Sequence, residues 1–338
     1  MTASDIAEIK QLLQTPKKIA IIPHKNPDGD AMGSTLALYQ YLIQKNHDAV
    51  VVSPNDYPDF LKWLPFENKV INAEKDTESA EKIIKEADLI FTLDFNHLSR
   101  VANLQNALEK AEATFIMIDH HQSPDDYASY TYSDVSMSST CQMVYHFLDF
   151  LGDTAMITKE MATCIYTGIV TDTGSFRFAS TTSTTHHVVA SLLDRGAENA
   201  TIHQKIYNTN SKSRLQLLGV ALNNLVVKKD YHTAYISLSQ EELNQHDFKK
   251  GDTEGFVNYG LSLKGIKFAL IFIENKDEGI IKISLRSIGD FDVNSFARTH
   301  FSGGGHTNAA GGKSDLSLTK TILAFEKILP HYKKELTS

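Results

Sequence analysis

An aspartate and two histidines stand in direct succession in this chain, as Asp119-His120-His121, where an apolar run over 114–118 stops. Such residues are costly at the end of a buried strand unless a polar group or a metal ion receives them. A second apolar run, 19–22, is followed by segment 24–30 (HKNPDGD), whose proline and glycine predict a turn that lets its side chains converge. Two strand ends that both present His and Asp predict a metal site.

Two further aspartates occupy comparable positions. Asp94 follows the apolar strand predicted at 88–93, and Asp172 lies where a predicted helix breaks into a glycine-flanked loop. Taken singly, each of them, and Asp30 as well, is at least as typical of a helix cap or a turn. Taken together, the candidate metal ligands are two imidazoles and four carboxylates: His24, Asp28, Asp30, Asp94, His120 and Asp172.

This set of ligand types indicates both the metal and the reaction. Imidazole and carboxylate ligands without a thiolate favour Mn²⁺, with Mg²⁺, Fe²⁺ and Co²⁺ as alternatives. Neighbouring carboxylates repel one another, so their convergence calls for divalent cations. Two ions about 3.5–4 Å apart, joined by a bridging carboxylate, can share a hydroxide and hold both oxygens of an in-line displacement at phosphorus. The six residues therefore predict hydrolysis of a phosphoester.

The second half of the chain contains candidate phosphate contacts. In Gly303-Gly304-Gly305-His306, three glycines expose backbone N–H groups, and a small-residue helix start after them would complete an anion nest. Arg286 ends a predicted strand and suits a bidentate contact to phosphate. Taken alone, a flexible loop and a solvated strand end explain these residues as well. Arg100, six residues after Asp94, is another candidate and is equally typical of an exposed surface arginine.

These residues can act together only if the fold brings the ends of several strands close to one another. Short strands that are apolar on both faces alternate with helical patterns in the first half, which predicts an open, mostly parallel sheet with helices on both faces. In such a sheet the chemistry collects beyond the carboxyl ends of the strands. The predicted strands are 18–23, 49–53, 69–71, 87–95 and 113–118, and the predicted helices are 31–45, 79–86, 138–151, 159–170 and 185–195.

The pattern changes in the second half. Two hairpins are predicted, 222–228 with 232–238 and 268–274 with 280–286, together with helices near 255–263, 293–300 and 318–332. This pattern indicates a smaller α+β domain. A polar, weakly patterned stretch separates the halves. We therefore predict a catalytic domain over 1–195, a linker over 196–214 and a substrate-binding domain over 215–338, with the active site in the cleft between the domains.

Composition restricts the partners. The chain has 33 Lys and Arg against 41 Asp and Glu, a formal charge of −8, which argues against binding long duplexes and leaves room for a short phosphorylated ligand. Cys141 and Cys164 show no C-x-x-C spacing and are expected to be reduced core residues. Because residues 1–14 lack the apolar region of a signal peptide and no apolar run reaches membrane-spanning length, we expect a cytoplasmic protein without membrane association.

The motifs resemble those of the DHH phosphoesterases, a family named for the triplet at 119–121. The resemblance covers 24–34 (HKNPDGDAMGS), Asp94, the triplet, Asp172 within TGIVTDTGSF, and the glycine-rich segment 301–312, which looks like the GGGH loop of the associated DHHA1 domain. It implies that His121 faces the scissile phosphate and that Asp119 orients an imidazole. It also implies two metal subsites that share Asp94 as a bridge: His24, Asp28 and Asp94 in one, and Asp30, Asp94, His120 and Asp172 in the other.

Within that family, the two-domain length resembles the oligoribonucleases that also dephosphorylate 3′-phosphoadenosine 5′-phosphate (pAp). The expected function is Mn²⁺-dependent hydrolysis of oligonucleotides of two to five residues, of pAp to AMP, or of both, and linear dinucleotides such as pGpG are also plausible substrates. An inorganic pyrophosphatase or exopolyphosphatase is the main alternative, although a lysine- and arginine-rich clamp is then expected. A non-catalytic nucleotide sensor is disfavoured because every candidate ligand is present. A homodimer is the working assumption.

Overall fold

Short apolar runs in the first 209 residues form a six-stranded parallel sheet. This arrangement is seen in a computed structural model, which describes residues 1–337 and separates into two compact units, Met1–Thr209 and the residues from Asn210 onward. The strands are β1 (Lys18–Pro23), β2 (Asp48–Ser53), β3 (Ile71–Asn72), β4 (Leu89–Leu93), β5 (Thr114–Asp119) and β6 (Tyr130–Ser133). Their order across the sheet is β3-β2-β1-β4-β5-β6.

Helices cover both faces of this sheet, because successive side chains of each strand point to opposite faces and both sets are apolar. Ile19 and Ile21 of β1 belong to one core, whereas Ala20 and Ile22 belong to another. The helices are α1 (Ala3–Leu12), α2 (Gly29–Gln44), α3 (Thr77–Glu86), α4 (Gln105–Glu109), α5 (Thr140–Leu151), α6 (Lys159–Asp172), α7 (Ser183–Asp194) and α8 (Asn199–Tyr207). Helices α3 and α4 contribute to the second core, and the other helices contribute to the first.

The sheet is wound in two directions from its centre. Strand β1 pairs with β2 on one side and with β4 on the other, so the order in which strands are added to the sheet reverses between β1 and β4. Ligands of open α/β sheets bind outside the carboxyl ends of the strands at such a reversal. Pro23 pairs with Leu93, and Leu93 pairs with Ile118. The residues that follow these three are therefore level with one another at one edge of the sheet.

The second unit contains a mixed sheet of its own. Its strands are β7 (Val226–Lys228), β8 (Thr233–Leu238), β9 (Phe268–Asn275), β10 (Ile280–Ser287), β11 (Gly304–His306) and β12 (Ala309–Ser314), in the order β11-β12-β10-β9-β8-β7. Strands β8 and β9 are parallel, and the other pairs are antiparallel. Its helices are α9 (Lys212–Asn223), α10 (Gln240–Gln245), α11 (Val257–Leu261), α12 (Val293–His300), α13 (Leu318–Ile328) and α14 (Lys333–Thr337). The rings of Phe268, Phe272, Phe296 and Phe325 form the centre of one of its two cores.

The predicted α/β fold, with a parallel sheet covered on both faces and a smaller second region, is confirmed. Both predicted hairpins are also present, as β7–β8 and β9–β10. The stretch predicted as a linker is mostly helical, since α8 and the start of α9 lie within 196–214. The division between the compact units, after Thr209, falls inside that stretch. None of the helices formed by the described residues has the length and apolar composition of a membrane-spanning segment.

Candidate metal centre

Asp94 lies between two imidazoles at the carboxyl edge of the first sheet. Its Oδ2 is 3.5 Å from His24 Nε2, and its Oδ1 is 3.5 Å from His120 Nε2. The residue has a φ of 65°, in the left-handed region that few non-glycine residues adopt. Its backbone N–H donates to the Ile118 carbonyl at 3.1 Å. A strained conformation at a buried carboxylate is typical of a functional position.

A first group of ligand atoms lies on the side of Asp94 that faces His24. His24, Asp28 and Asp94 each offer an atom within 4.8 Å of the others, and His24 Nε2 lies 3.9 Å from Asp28 Oδ2. The other oxygen of Asp28, Oδ1, caps helix α2 by accepting the backbone N–H groups of Asp30 and Ala31 at 2.9 and 3.1 Å. The N-cap of this helix is therefore Asp28, and the alternative that Asp30 caps it is wrong.

A second group is formed by Asp30, His120 and Asp172, again with ligand atoms within 4.8 Å. His120 Nε2 lies 3.7 Å from Asp30 Oδ2 and 3.4 Å from Asp172 Oδ2. Asp30 is buried in the first turn of α2, whereas Asp172 is the last residue of α6. The carboxylates of Asp30 and Asp94 also accept hydrogen bonds from the first residues of α5.

Each imidazole of the two groups is held through its second nitrogen. His24 Nδ1 lies 2.8 Å from the carbonyl oxygen of Lys25, and His120 Nδ1 lies 3.2 Å from that of Met137. A ring that donates Nδ1–H to a carbonyl presents its Nε2 lone pair on the other side. In both residues that side faces carboxylate oxygens, so a proton on Nε2 or a cation must lie between the nitrogen and those oxygens. This geometry is common for histidine ligands of metals.

The electrostatics of the cluster agree with this geometry. Burial, together with the charges of Asp94 and Asp172, raises the pKa of Asp30 well above its usual range. Burial raises the pKa of Asp172 to about 6, although His120 opposes the shift. Burial also acts against charge on Asp94, yet His120 and His24, when protonated, hold the pKa of Asp94 well below its usual range. A metal ion between these groups would supply the same positive charge. Like charges this close favour a bound cation.

The donor set therefore fits divalent metal ions. It has oxygen and nitrogen donors, no thiolate, two converging groups and imidazoles already turned toward the site, which suits Mn²⁺ or a similar ion. A third grouping of ligand-type residues, Asp94, Asp119 and His121, adjoins the other two.

Within the DHH triplet, Asp119 and His121 contact each other. Asp119 is fully buried, and its Oδ1 lies 2.7 Å from His121 Nδ1. Its Oδ2 accepts the backbone N–H of His121 at 3.1 Å. Both oxygens of Asp119 are thus engaged by the same neighbour, which fixes the orientation of the imidazole ring.

Arg100 lies in a short 3₁₀ segment near the first group of ligand atoms. Its carbonyl accepts the backbone N–H of Lys25, the residue after His24, at 2.7 Å. The structure thus brings Arg100 near His24.

In the second unit, the glycine-rich segment forms a β-hairpin. Strand β11 pairs with β12, and the expected helix start after His306 is wrong, because those residues instead pair with β10. A side chain at Gly303 would clash, since a Cβ there would lie 1.9 Å from the Gly311 carbonyl oxygen. The N–H of Gly305, one donor of the predicted anion nest, is already bonded to Asn294 Oδ1 at 2.9 Å.

Arg286 and His306 occupy the same row of this second sheet. Both pair with Ala309 of β12, Arg286 from β10 and His306 from β11. Directly paired residues share a face of the sheet, and two strand spacings separate these side chains by roughly 9–10 Å. Arg286 is half-buried, and its Nη1 donates to the Leu285 carbonyl at 2.9 Å. Both residues can therefore contact one ligand of nucleotide size.

Three supporting residues were missed by sequence reasoning. Asn55, which is buried, exchanges two hydrogen bonds with Asn26, at 2.7 and 2.8 Å, and so anchors the turn of the first motif. Met137 supplies the carbonyl for His120, and Thr140 donates to two site carboxylates. Asn26 has a φ of 57°, and its place beside the motif proline was the only local signal. The other contacts arise from tertiary packing.

Comparison with known proteins gives the relationships of the chain. Residues 18–169 match the model of the DHH family, N-terminal domain, and residues 228–329 match that of the DHHA1 domain. The bifunctional oligoribonuclease and PAP phosphatase NrnA of Thermus thermophilus is 33% identical over 98% of this chain and 94% of its own length.

Two solved structures extend the comparison. An exopolyphosphatase-related protein from Bacteroides fragilis has a TM-score of 0.95 and 40% identity, and the match covers 100% of this chain and 98% of that protein. RecJ of Thermus thermophilus, solved in complex with Mn²⁺, has a TM-score of 0.54 at 14% identity over 98% of this chain and 54% of its own, a likeness of fold.

Proposed function

Because the chain belongs to the DHH family of phosphoesterases and carries a DHHA1 domain, we propose that it hydrolyses short oligoribonucleotides to mononucleotides, pAp to AMP, or both. The observation that carries this proposal is the convergence of two imidazoles and four carboxylates at the carboxyl edge of the first sheet. The substrate class is supported by the similarity, over nearly the full chain, to an enzyme named for these two activities.

We propose that two divalent ions, with Mn²⁺ preferred over Mg²⁺ and Co²⁺, are held by this cluster. His24, Asp28 and Asp94 would hold one, and Asp30, Asp94, His120 and Asp172 would hold the other. When bound, they would supply positive charge where negative charge develops on the phosphoryl group. The Mn²⁺ preference follows from the mixture of imidazole and carboxylate donors.

The chain's own groups would orient the phosphate. With Nδ1 of His121 held by Asp119, Nε2 is the ring nitrogen that we propose contacts a phosphate oxygen. Arg100 near His24 would add a cationic contact. In the second unit, Arg286 and His306 share a row of the sheet, and with Gly303 and Gly304 they are the proposed contacts to the base or the terminal phosphate. Gly305 stays in this proposal as part of the same loop, but not as an N–H donor, because that group is bonded to Asn294.

We also propose the substrate length, the cellular compartment and the assembly of the enzyme. A formal charge of −8 supports short substrates over long duplexes. The two cysteines are free and buried, which supports a reducing, cytoplasmic location. A homodimer is kept as the proposed assembly.

A second candidate function is hydrolysis of polyphosphate or pyrophosphate, because the Bacteroides protein with the same fold is described as exopolyphosphatase-related. The deciding experiment compares Mn²⁺-supported hydrolysis of pAp, RNA of two to five nucleotides, polyphosphate and pyrophosphate under identical conditions. We expect turnover of the nucleotides to dominate. Turnover confined to polyphosphate or pyrophosphate would overturn the proposal.

The metal assignment is tested by Asp94→Ala. As the proposed shared ligand, Asp94 contacts both imidazoles, so its loss should lower activity by more than about 100-fold, beyond what loss of an outer hydrogen-bond partner costs. Steady-state hydrolysis and Mn²⁺ titration calorimetry measure the effect. Asp149→Asn, at an exposed position of α5, is the control and should behave as wild type. An active Asp94→Ala variant would exclude a shared ligand at this position.

A further inference from the structure

Thr140 contacts two site carboxylates at once. It is the first residue of α5 and is fully buried. Its backbone N–H donates to Asp30 Oδ2 at 2.6 Å, and its hydroxyl donates to Asp94 Oδ1 at 3.0 Å. The next residue, Cys141, donates its N–H to Asp30 Oδ1 at 2.8 Å. The start of α5 therefore holds one carboxylate from each group of ligand atoms, Asp94 of the first and Asp30 of the second.

The Thr140 hydroxyl bonds to one particular oxygen of Asp94, Oδ1. The two oxygens of Asp94 face different imidazoles, Oδ2 toward His24 and Oδ1 toward His120. A rotation of the carboxylate would exchange or misplace these oxygens. A neutral donor on Oδ1 fixes the rotation without placing another charge in the cluster, where a cationic donor would compete with a metal ion.

We propose that Thr140 is a positioning residue, which sets the rotation of the Asp94 carboxylate and its distance from Asp30 so that both metal subsites form. This inference rests on the proposed function, since it concerns the same metal cluster. It makes Thr140 a determinant of metal affinity that does not itself bind metal or substrate.

The test compares Mn²⁺ binding in Thr140→Val and wild type by titration calorimetry, with no substrate present. Loss of an outer hydrogen-bond partner commonly weakens a metal site by about 10- to 100-fold, and we expect that loss for at least one of the two ions. In assays, the Mn²⁺ concentration for half-maximal activity should rise, while the KM for nucleotide at saturating Mn²⁺ should stay unchanged.

Two further comparisons separate the hydroxyl from packing. Thr140→Ser keeps the hydroxyl and should retain most of the affinity, whereas Thr140→Ala should lose it, so this pair decides the matter if the valine variant does not fold. Thr35→Val is the matched control, since Thr35 is equally buried but its hydroxyl donates only to helix carbonyls, those of Ala31 and Met32.

The outcomes are distinct. Wild-type Mn²⁺ affinity in both Thr140→Val and Thr140→Ala would overturn the positioning role while leaving the proposed function intact. Absence of Mn²⁺ binding to the wild-type protein would overturn the proposed function itself. Equal losses in Thr140→Ser and Thr140→Ala would assign the effect to packing and would also refute the inference.

Discussion

The carboxylates of the cluster differ in what their oxygens contact, and this difference predicts different roles. Asp94 and Asp30 each direct an oxygen toward an imidazole Nε2 that faces the site. Asp119 directs both oxygens at His121, one to the ring and one to the backbone. A carboxylate used in this second way orients a histidine and does not need to bind an ion.

The change Asp119→Asn tests this distinction. An amide of the same size removes the charge from a charge-assisted hydrogen bond, commonly a loss of about 1.5–3 kcal/mol, so kcat should fall by about 10- to 150-fold. Mn²⁺ affinity and stoichiometry should stay close to wild type by calorimetry. If Asp119→Asn lost one equivalent of Mn²⁺, the third grouping, with Asp94 and His121, would be a metal subsite instead.

At the scale of elements, the site depends on the close approach of α2 and α6. A Cβ added to Gly168 of α6 would lie 2.1 Å from Cys141 Sγ and 2.8 Å from Asp30 Oδ1. A Cβ added to Gly33 of α2 would lie 2.5 Å from the Cys164 carbonyl oxygen of α6. Glycine at these positions lets the two helices bring Asp30 and Asp172, which they carry, to one imidazole.

We therefore expect Gly168→Ala to damage the site through packing. Overfilling a tight core commonly costs about 1–3 kcal/mol, and here the displaced atoms include an oxygen of Asp30. Mn²⁺ affinity should fall, and thermal unfolding should occur at a lower temperature. Gly219→Ala is the matched control: this glycine is also inside a helix, α9, and has no atom within 4 Å of an added Cβ. That change should leave stability unchanged or raise it by up to about 1 kcal/mol.

The elements also show what sequence can predict. The strands of the first sheet are apolar on both faces, so the sequence predicts both the strands and the polar residues at which they end. Strands β11 and β12 are rich in glycine and alanine, which have weak strand preference. Their place in the sheet depends on pairing, of β12 with β10 and of β11 with β12. Helix α8 buries only Ile202 and Ile206, four residues apart in a polar stretch, so its signal was weak.

The same limit applies to the candidate site. His24, Asp94 and His120 stand at strand ends, where a polar residue after an apolar run is visible in the sequence. Asn55 and Thr140 act through contacts across the fold, with partners 29 and 46 residues away. Such pairs depend on how the helices and strands pack, and residue type alone does not reveal them.

At the scale of the whole molecule, two units have separate sheets and separate cores. The candidate metal ligands lie in the first unit, whereas the paired row of Arg286 and His306 lies in the second. We propose that the first unit carries the hydrolytic chemistry and the second contributes substrate binding. Substitutions of substrate contacts in the second unit should then raise KM and leave Mn²⁺ binding unchanged.

Arg286→Ala tests that division. Loss of a charge-assisted contact to phosphate should reduce kcat/KM by about 10- to 150-fold, mainly through a higher KM. Mn²⁺ binding by calorimetry should be unchanged, because the cluster lies in the other unit. Lys282→Ala is the control, since Lys282 is a cation on the same strand in an exposed pair with Glu278, which commonly contributes little. A wild-type KM in Arg286→Ala, or an equal rise in both variants, would exclude Arg286 as a specific substrate contact.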